Sequence, residues 1–346
     1  MNFSNTVLKN ISLHAVGNKT NEQELVLSTH PLSVDKNLSV KLRDYFLNRF
    51  PAVNEKYQFS HPSSLKYNEV FSFVAEAFSG TIPFHTISEN IAKHLFEAST
   101  HPKIQPGELY VCSFENCLLD NQPTDAIGIF KTETKSGFFE IDNQKGDFKI
   151  EYKEGVDINK FDKGCLIFNT DKAEGFQVYI IDNQNRGEEA QYWRELFLGL
   201  KQTSNEFKQT KDFLTITKNF VTKQLVEEYE VSKADQIDLL NRSVAYFKTH
   251  DKFEKEDFEK EVFQDTSVIK SFRTFDESYK ETNELELADS FEISSEAVKK
   301  QAKVFKSVLK LDKNFHIYIH GDKELIEQGV DKDGRKYYKI YFDKES

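Results

Sequence analysis

The chain has 346 residues, of which 38% are hydrophobic and 30% charged, and its 46 basic and 57 acidic side chains give a formal charge of −11. That length suits two or three domains rather than one small core, and 31 Phe with 14 Tyr exclude the aromatic-poor composition of a disordered chain. No window approaches the roughly 18 consecutive apolar residues of a membrane-spanning helix. Met1–Asn10 carries one Lys and no apolar run, which predicts no secretory leader. Three cysteines do not build a disulfide framework, so a cytosolic setting without membrane contact is expected.

In chain order, Val7–Val16 and Glu24–Leu27 have strand-like apolar spacing around the turn-rich segment 17–21. Helices are expected over Asp35–Phe50, ending before Pro51, over Asn68–Phe78, ending near Gly80, and over Ile87–Ser99. Six strands follow: Glu108–Phe114, Ala126–Thr132, Gly137–Ile141, Phe148–Tyr152, Cys165–Phe168 and Phe176–Ile181. Their short Gly, Asn and Asp links predict an antiparallel meander. From Glu188 to Glu281 apolar residues recur at helical period, starting with Tyr192, Trp193, Leu196, Phe197 and Leu200. Ser232 with Asp235 reads as a capping box in which Asp replaces the usual Glu or Gln. The tail predicts a helix over Ser295–Lys310, then a strand over Phe315, Ile317 and Ile319. A turn at Asp331–Gly334 and a strand over Lys336–Phe342 complete it.

The expected fold class is α+β. An N-terminal domain (1–185) would carry a largely antiparallel sheet with flanking helices, followed by an all-helical middle domain (186–282). A small C-terminal region (283–346) of helix plus hairpin would close the chain.

Charge is segregated along the sequence. Asp251–Glu292 holds fourteen acidic and six basic residues, and Glu296–Lys313 holds six Lys and two acids. On a helix from Ser295, Val298, Ala302, Phe305 and Leu309 cluster within about 60°. Lys299, Lys300, Lys303, Lys306 and Lys310 take an opposite arc of roughly 120°. Such a face can follow a phosphate backbone, and it can equally be the wet side of an amphipathic helix. Because Arg occurs only seven times in the chain, the basic residues suit phosphate attraction better than bidentate base reading.

No metal or cofactor site is expected. His316 and His320 stand about 13 Å apart along a strand, too far to share an ion. Cys112 and Cys117 have no second ligand pair nearby, and Asp331–Gly334 lacks the later Glu of a calcium loop. Asp125, Glu133 and Lys135 have the order of a Mg²⁺-nuclease signature, but this short pattern is common in so charged a chain and reads first as outward residues at a strand end. No phosphate loop, nucleophile elbow or His-Glu-x-x-His motif occurs. No catalytic residue is therefore assigned.

Four strings carry a resemblance: His101–Leu109, Phe161–Asn169, Tyr192-Trp193 with Phe197-Leu198, and Leu311–Gly321. Their order and spacing resemble the bacterial nucleoid-associated protein family of the NdpA/YejK type, over about Ile11 to Phe342. The resemblance implies a non-enzymatic cytoplasmic protein found with the nucleoid and DNA, acting in chromosome organisation. It transfers no binding residue, since these strings read as core and turn positions. The expected activity is weak, sequence-tolerant DNA backbone contact through the lysine face. The alternative is an acidic adaptor, recruited to the chromosome by a DNA-bound protein that docks on Asp251–Glu292. A Mg²⁺-nuclease-like domain is the minor alternative. The oligomeric state is left open, a homodimer included.

Overall fold

The computed structural model describes residues 1–183, 192–303, 305, 308–319 and 325–344. It divides into two compact units, Met1–Thr203 and Ser204–Ser346. The boundary expected at 185/186 falls within 184–191, outside the described residues.

The first unit comprises β1 (Val7–Val16), β2 (Leu25–Val26), α1 (Lys36–Leu47), β3 (Tyr57–Phe59), α2 (Glu69–Ser79), α3 (Phe84–Ala98), β4 (Gly107–Leu119), β5 (Gln122–Thr132), β6 (Lys135–Gln144), β7 (Asp147–Val156), β8 (Lys163–Phe168), β9 (Gln177–Asp182) and β10 (Leu200–Gln202). Among the described residues, eight strands form one antiparallel sheet in the order β10-β3-β9-β8-β5-β4-β1-β2. Side chains alternate across it. Leu109 and Val111 of β4 join α2 and α3 in one core, through Val70, Val74, Ile87 and Ile91. Tyr110, Cys112 and Phe114 face the other way, onto Phe46, Leu47 and Phe50 in and just after α1. Covered on both faces, β8 is buried at every position. The sheet therefore lies between two helical layers.

Local chemistry sets the element ends. Asp35 accepts the Leu38 N–H at 2.8 Å to cap α1, and Asn68 accepts the Phe71 N–H at 2.8 Å to cap α2. Gly80 ends α2 at φ +68°. The β4–β5 hairpin turns on Asp120 and Asn121, both left-handed, as a two-residue hairpin link requires. Gly107 opens β4 where an added Cβ would stand 2.0 Å from the Thr132 carbonyl oxygen, which explains a glycine in that string. The turn Tyr192–Phe197, read in the sequence as the start of the helical region, buries Trp193 in the first unit's core. Cys112, Cys117 and Cys165 are free and buried; burial pushes their thiols up, that of Cys117 to about 11.

The second unit comprises α4 (Glu206–Asn219), which continues through a wider turn to Glu228, α5 (Lys233–Thr249), β11 (Lys252–Glu254), α6 (Thr266–Thr282), β12 (Ser290–Glu292), α7 (Ser295–Ala302), β13 (Val308–Leu311), β14 (Phe315–Tyr318), β15 (Ile326–Val330) and β16 (Lys336–Ile340). Its core is a phenylalanine cluster that includes Phe213, Phe220, Phe247, Phe253, Phe258 and Phe272. Ring pairs such as Phe213–Phe253, 4.2 Å between centroids, pack in tilted and edge-on contacts. The capping box at α5 is present, with the Asp235 N–H donating to Ser232 Oγ at 3.1 Å and the Ser232 N–H to Asp235 Oδ2 at 3.2 Å. The fold is thus α+β: a large antiparallel sheet, a helical middle region and C-terminal hairpins.

Candidate nucleic-acid interface

The lysine segment folds differently from the single long helix that its periodicity predicts. Ser294 caps α7 by accepting the Ala297 N–H at 3.3 Å, and Ala297 and Val298 are buried. The helix ends at Ala302, and the chain reappears as strand β13 at Val308. Val308, Leu309 and Leu311 fit a helical stripe and a strand equally well. Tertiary pairing decides in favour of the strand. Leu309 pairs with Ile317 and Leu311 with Phe315 around a turn in which Asp312 is left-handed, and Leu309 packs with Ile237 of α5 in a small separate cluster.

The five lysines consequently do not share one helix face. Lys299 and Lys300 lie exposed in the last turn of α7 and Lys303 just beyond it, while Lys310 stands exposed on β13. Lys306 lies outside the described residues, as does His320. Among the described residues, Lys299, Lys300, Lys303 and Lys310 make no ion pair, and the Lys300 ammonium sits 4.9 Å from the centre of the Phe207 ring.

Three of the unit's elements bring cations together in a cleft of about 620 Å³. Strand alternation directs Lys310 and its cross-strand partner His316 to the side opposite Leu309 and Ile317. Lys303 enters from the end of α7 and Lys248 from α5, with Asn241, Phe305 and Tyr318 also in the lining. No carboxylate lines this cleft among the described residues. Lys248 and His316 were not legible as site residues. The available signal was Lys248 one helical turn after Val244, a core residue of α5.

A second cleft, of about 580 Å³, has the opposite character. Glu254, Glu256, Asp257, Glu277 and Asp289 line it around Lys255 and Arg273. Beneath it, buried Asp276 holds Lys255 at 2.6 Å and Lys280 at 2.9 Å, and buried Glu259 takes a bidentate Arg273. Burial lowers the Lys255 pKa, but the hydrogen bond and charge of Asp276 outweigh it and leave the ammonium held above its ordinary value.

The nuclease constellation is not assembled. Asp125 lies exposed near the start of β5 and Glu133 just past its end, roughly 25 Å along the strand. Glu133 also turns inward rather than outward. It accepts from the Lys131 ammonium at 2.9 Å and from the Tyr192 hydroxyl at 3.3 Å. Lys135 remains exposed and pairs with Glu108. Lys131 also donates to the Gln105 carbonyl at 2.6 Å, and Lys163, beside it on β8, meets Asp182 at 3.2 Å. Asp162 accepts the Glu133 and Thr134 N–H groups at 2.5 and 2.9 Å, pinning the passage from β5 into β6. Burial is the main cause that lowers the Lys131 pKa and raises that of Tyr192. Asp162 and Lys163 both belong to this buried ionic cluster. Among the described residues, no three His, Cys, Asp or Glu side chains converge to hold a metal ion.

The fold and its clefts define an α+β protein of two units whose second unit separates a cationic from an anionic cleft. A family model for nucleoid-associated protein YejK matches residues 12–345, and the chain belongs to that family. Membership supports a nucleoid-associated role, in a family that is not a known enzyme family. No curated protein matches the chain. Among the described residues no helix is long and apolar enough to cross a membrane.

Proposed function

We propose that this chain is a non-enzymatic nucleoid-associated protein that contacts the DNA backbone, in the cytoplasmic nucleoid, through the cleft between α5, α7 and the β13–β14 hairpin. The supporting observation is the convergence of Lys248, Lys303, Lys310 and His316 on a lining that, among the described residues, has no carboxylate. Lysine ammonium groups act as point charges toward phosphates and lack the fork that reads base edges, so contact is tolerant of sequence. The few cations involved, on a chain of charge −11, give weak and salt-sensitive binding. Each neutralised phosphate contributes about −0.9 to the slope of log affinity against log salt, so the slope expected is near −3. Fluorescence anisotropy with duplex DNA tests this. Lys303→Glu with Lys310→Glu is expected to lower affinity at least tenfold and to flatten the salt slope. Unchanged affinity and slope overturn the reading.

The acidic cleft favours a second reading, an adaptor that holds a basic protein on the chromosome. Its five carboxylates against two cations supply the complementary charge. A partner retained after nuclease digestion and released by Glu256→Lys with Asp257→Lys supports it; partners that vanish with the DNA argue against it.

A further inference from the structure

The hairpin formed by β6 and β7 stands apart from the eight-stranded sheet. Among the described residues its strands pair only with each other, from Lys135↔Val156 to Gln144↔Asp147. Cross-strand partners lie on the same side, so the register sorts the ribbon into two unlike faces. One face carries three successive rows, Phe139–Tyr152, Ile141–Ile150 and Asn143–Phe148, and the five apolar side chains in them are 62% to 71% exposed. The other carries Phe138–Lys153, Glu140–Glu151 and Asp142–Lys149, with Lys153 paired to Glu140, so one aromatic ring stands among its charges. An isolated two-stranded ribbon is marginal in water, and a contiguous apolar face of this size marks an interaction site.

We propose that this face is the homodimer contact, covered by the same face of a second copy. Two observations select that occupant. The first is area. Five side chains about two-thirds exposed present roughly 600 Å² per copy, so a face-to-face pair removes about 1,200 Å², the lower bound of a stable interface. The second is the pattern of rows. A two-fold axis across the strands through the Ile141–Ile150 row lays Ile141 on Ile141 and Ile150 on Ile150, and sets Phe148 over Tyr152 of the other copy. The ribbon's charge suits association of two anionic chains: residues 135–156 hold four Lys and five acids, a net −1. DNA is disfavoured as the occupant, since the three apolar rows carry no cation to meet the phosphates.

Sedimentation velocity on the full chain tests the proposal. The wild type is expected to be dimeric at micromolar concentration. Ile141→Glu, and separately Ile150→Glu, set two carboxylates against each other at the axis and weaken the dimer roughly 100-fold. Thermal unfolding at concentrations where wild type is also monomeric should not change, because these side chains are exposed in the protomer. Ile150→Cys should cross-link to its own copy on oxidation and Lys149→Cys, on the charged face, should not; the three native cysteines are buried and do not interfere. A monomeric wild type, Glu variants that dimerise as well as wild type, or equal cross-linking from both faces overturns the proposal. So does a Glu variant that stays dimeric but loses duplex DNA, which assigns the ribbon to nucleic acid.

Discussion

The two units treat charge in opposite ways. The first draws Lys131, Glu133, Asp162 and Lys163 into its interior, where each is held by a partner. The second fills its main core with phenylalanine rings and, among the described residues, buries the carboxylates of Asp276 and Glu259 with their partners. Among the described residues it leaves lysines without ion pairs around one cleft and gathers carboxylates around another. A charge saturated by buried neighbours is structural, whereas an exposed one can still meet a ligand. That contrast, more than the net charge of −11, explains how an anionic chain can offer a cationic contact.

The largest effects test whether the two interiors are held by different forces. Lys131→Ala leaves Glu133 buried without its cation and is expected to destabilise the first unit by about 3–5 kcal/mol. Phe213→Ala empties a ring site in the second unit for about 3–5 kcal/mol. In calorimetry each should lower the transition of its own unit, and a variant that shifts both equally would break the comparison.

A smaller effect is pH-dependent and confined to the first unit. His14 is buried, with its Nε2 2.9 Å from Ser88 Oγ and the Ser28 N–H donating to its Nδ1. Burial, helped by His85 nearby, lowers its pKa from 6.5 to about 4. The unfolded chain therefore takes up this proton at higher pH than the folded one does. The contribution is fully present well above pH 6.5 and is lost as pH falls toward 4, about 2 kcal/mol of it between pH 7 and pH 5 and about 3 kcal/mol by pH 4. Melting at pH 7 and pH 5 should show the loss in wild type and a flatter profile in His14→Gln. The smallest effect belongs to the ribbon, where Lys153→Ala removes an exposed pair with Glu140 and should leave melting unchanged.

Elements with strong local signals were legible in the sequence. Val7–Val16 is β1 end to end, and the Ser232–Asp235 box caps α5. Short strands at one side of the sheet were not: β3 and the edge strand β10 have three residues each, too few to show a period, and they pair only because the fold brings 57–59 and 200–202 together. The helix drawn through Lys310 failed where local periodicity yields to the β13–β14 pairing. Of the candidate site, the exposure of Lys299, Lys300, Lys303 and Lys310 was legible from the apolar positions between them. Lys248 and His316 were not, since their convergence on one cleft is a product of tertiary packing. The Lys131 cluster was hidden for the same reason, with Asp162 and Tyr192 some 30 and 60 residues away in sequence.

The turn at Asp120-Asn121 bears on the order in which the sheet assembles. It joins β4 and β5 at the smallest loop-closure entropy available to two strands. β10 meets β3 only after most of the first unit's chain has been threaded between them. Nucleation is therefore expected at the central hairpin and annealing last at the β3–β10 margin. Hydrogen exchange during refolding would then protect Val111 and Ile129 well before Phe59.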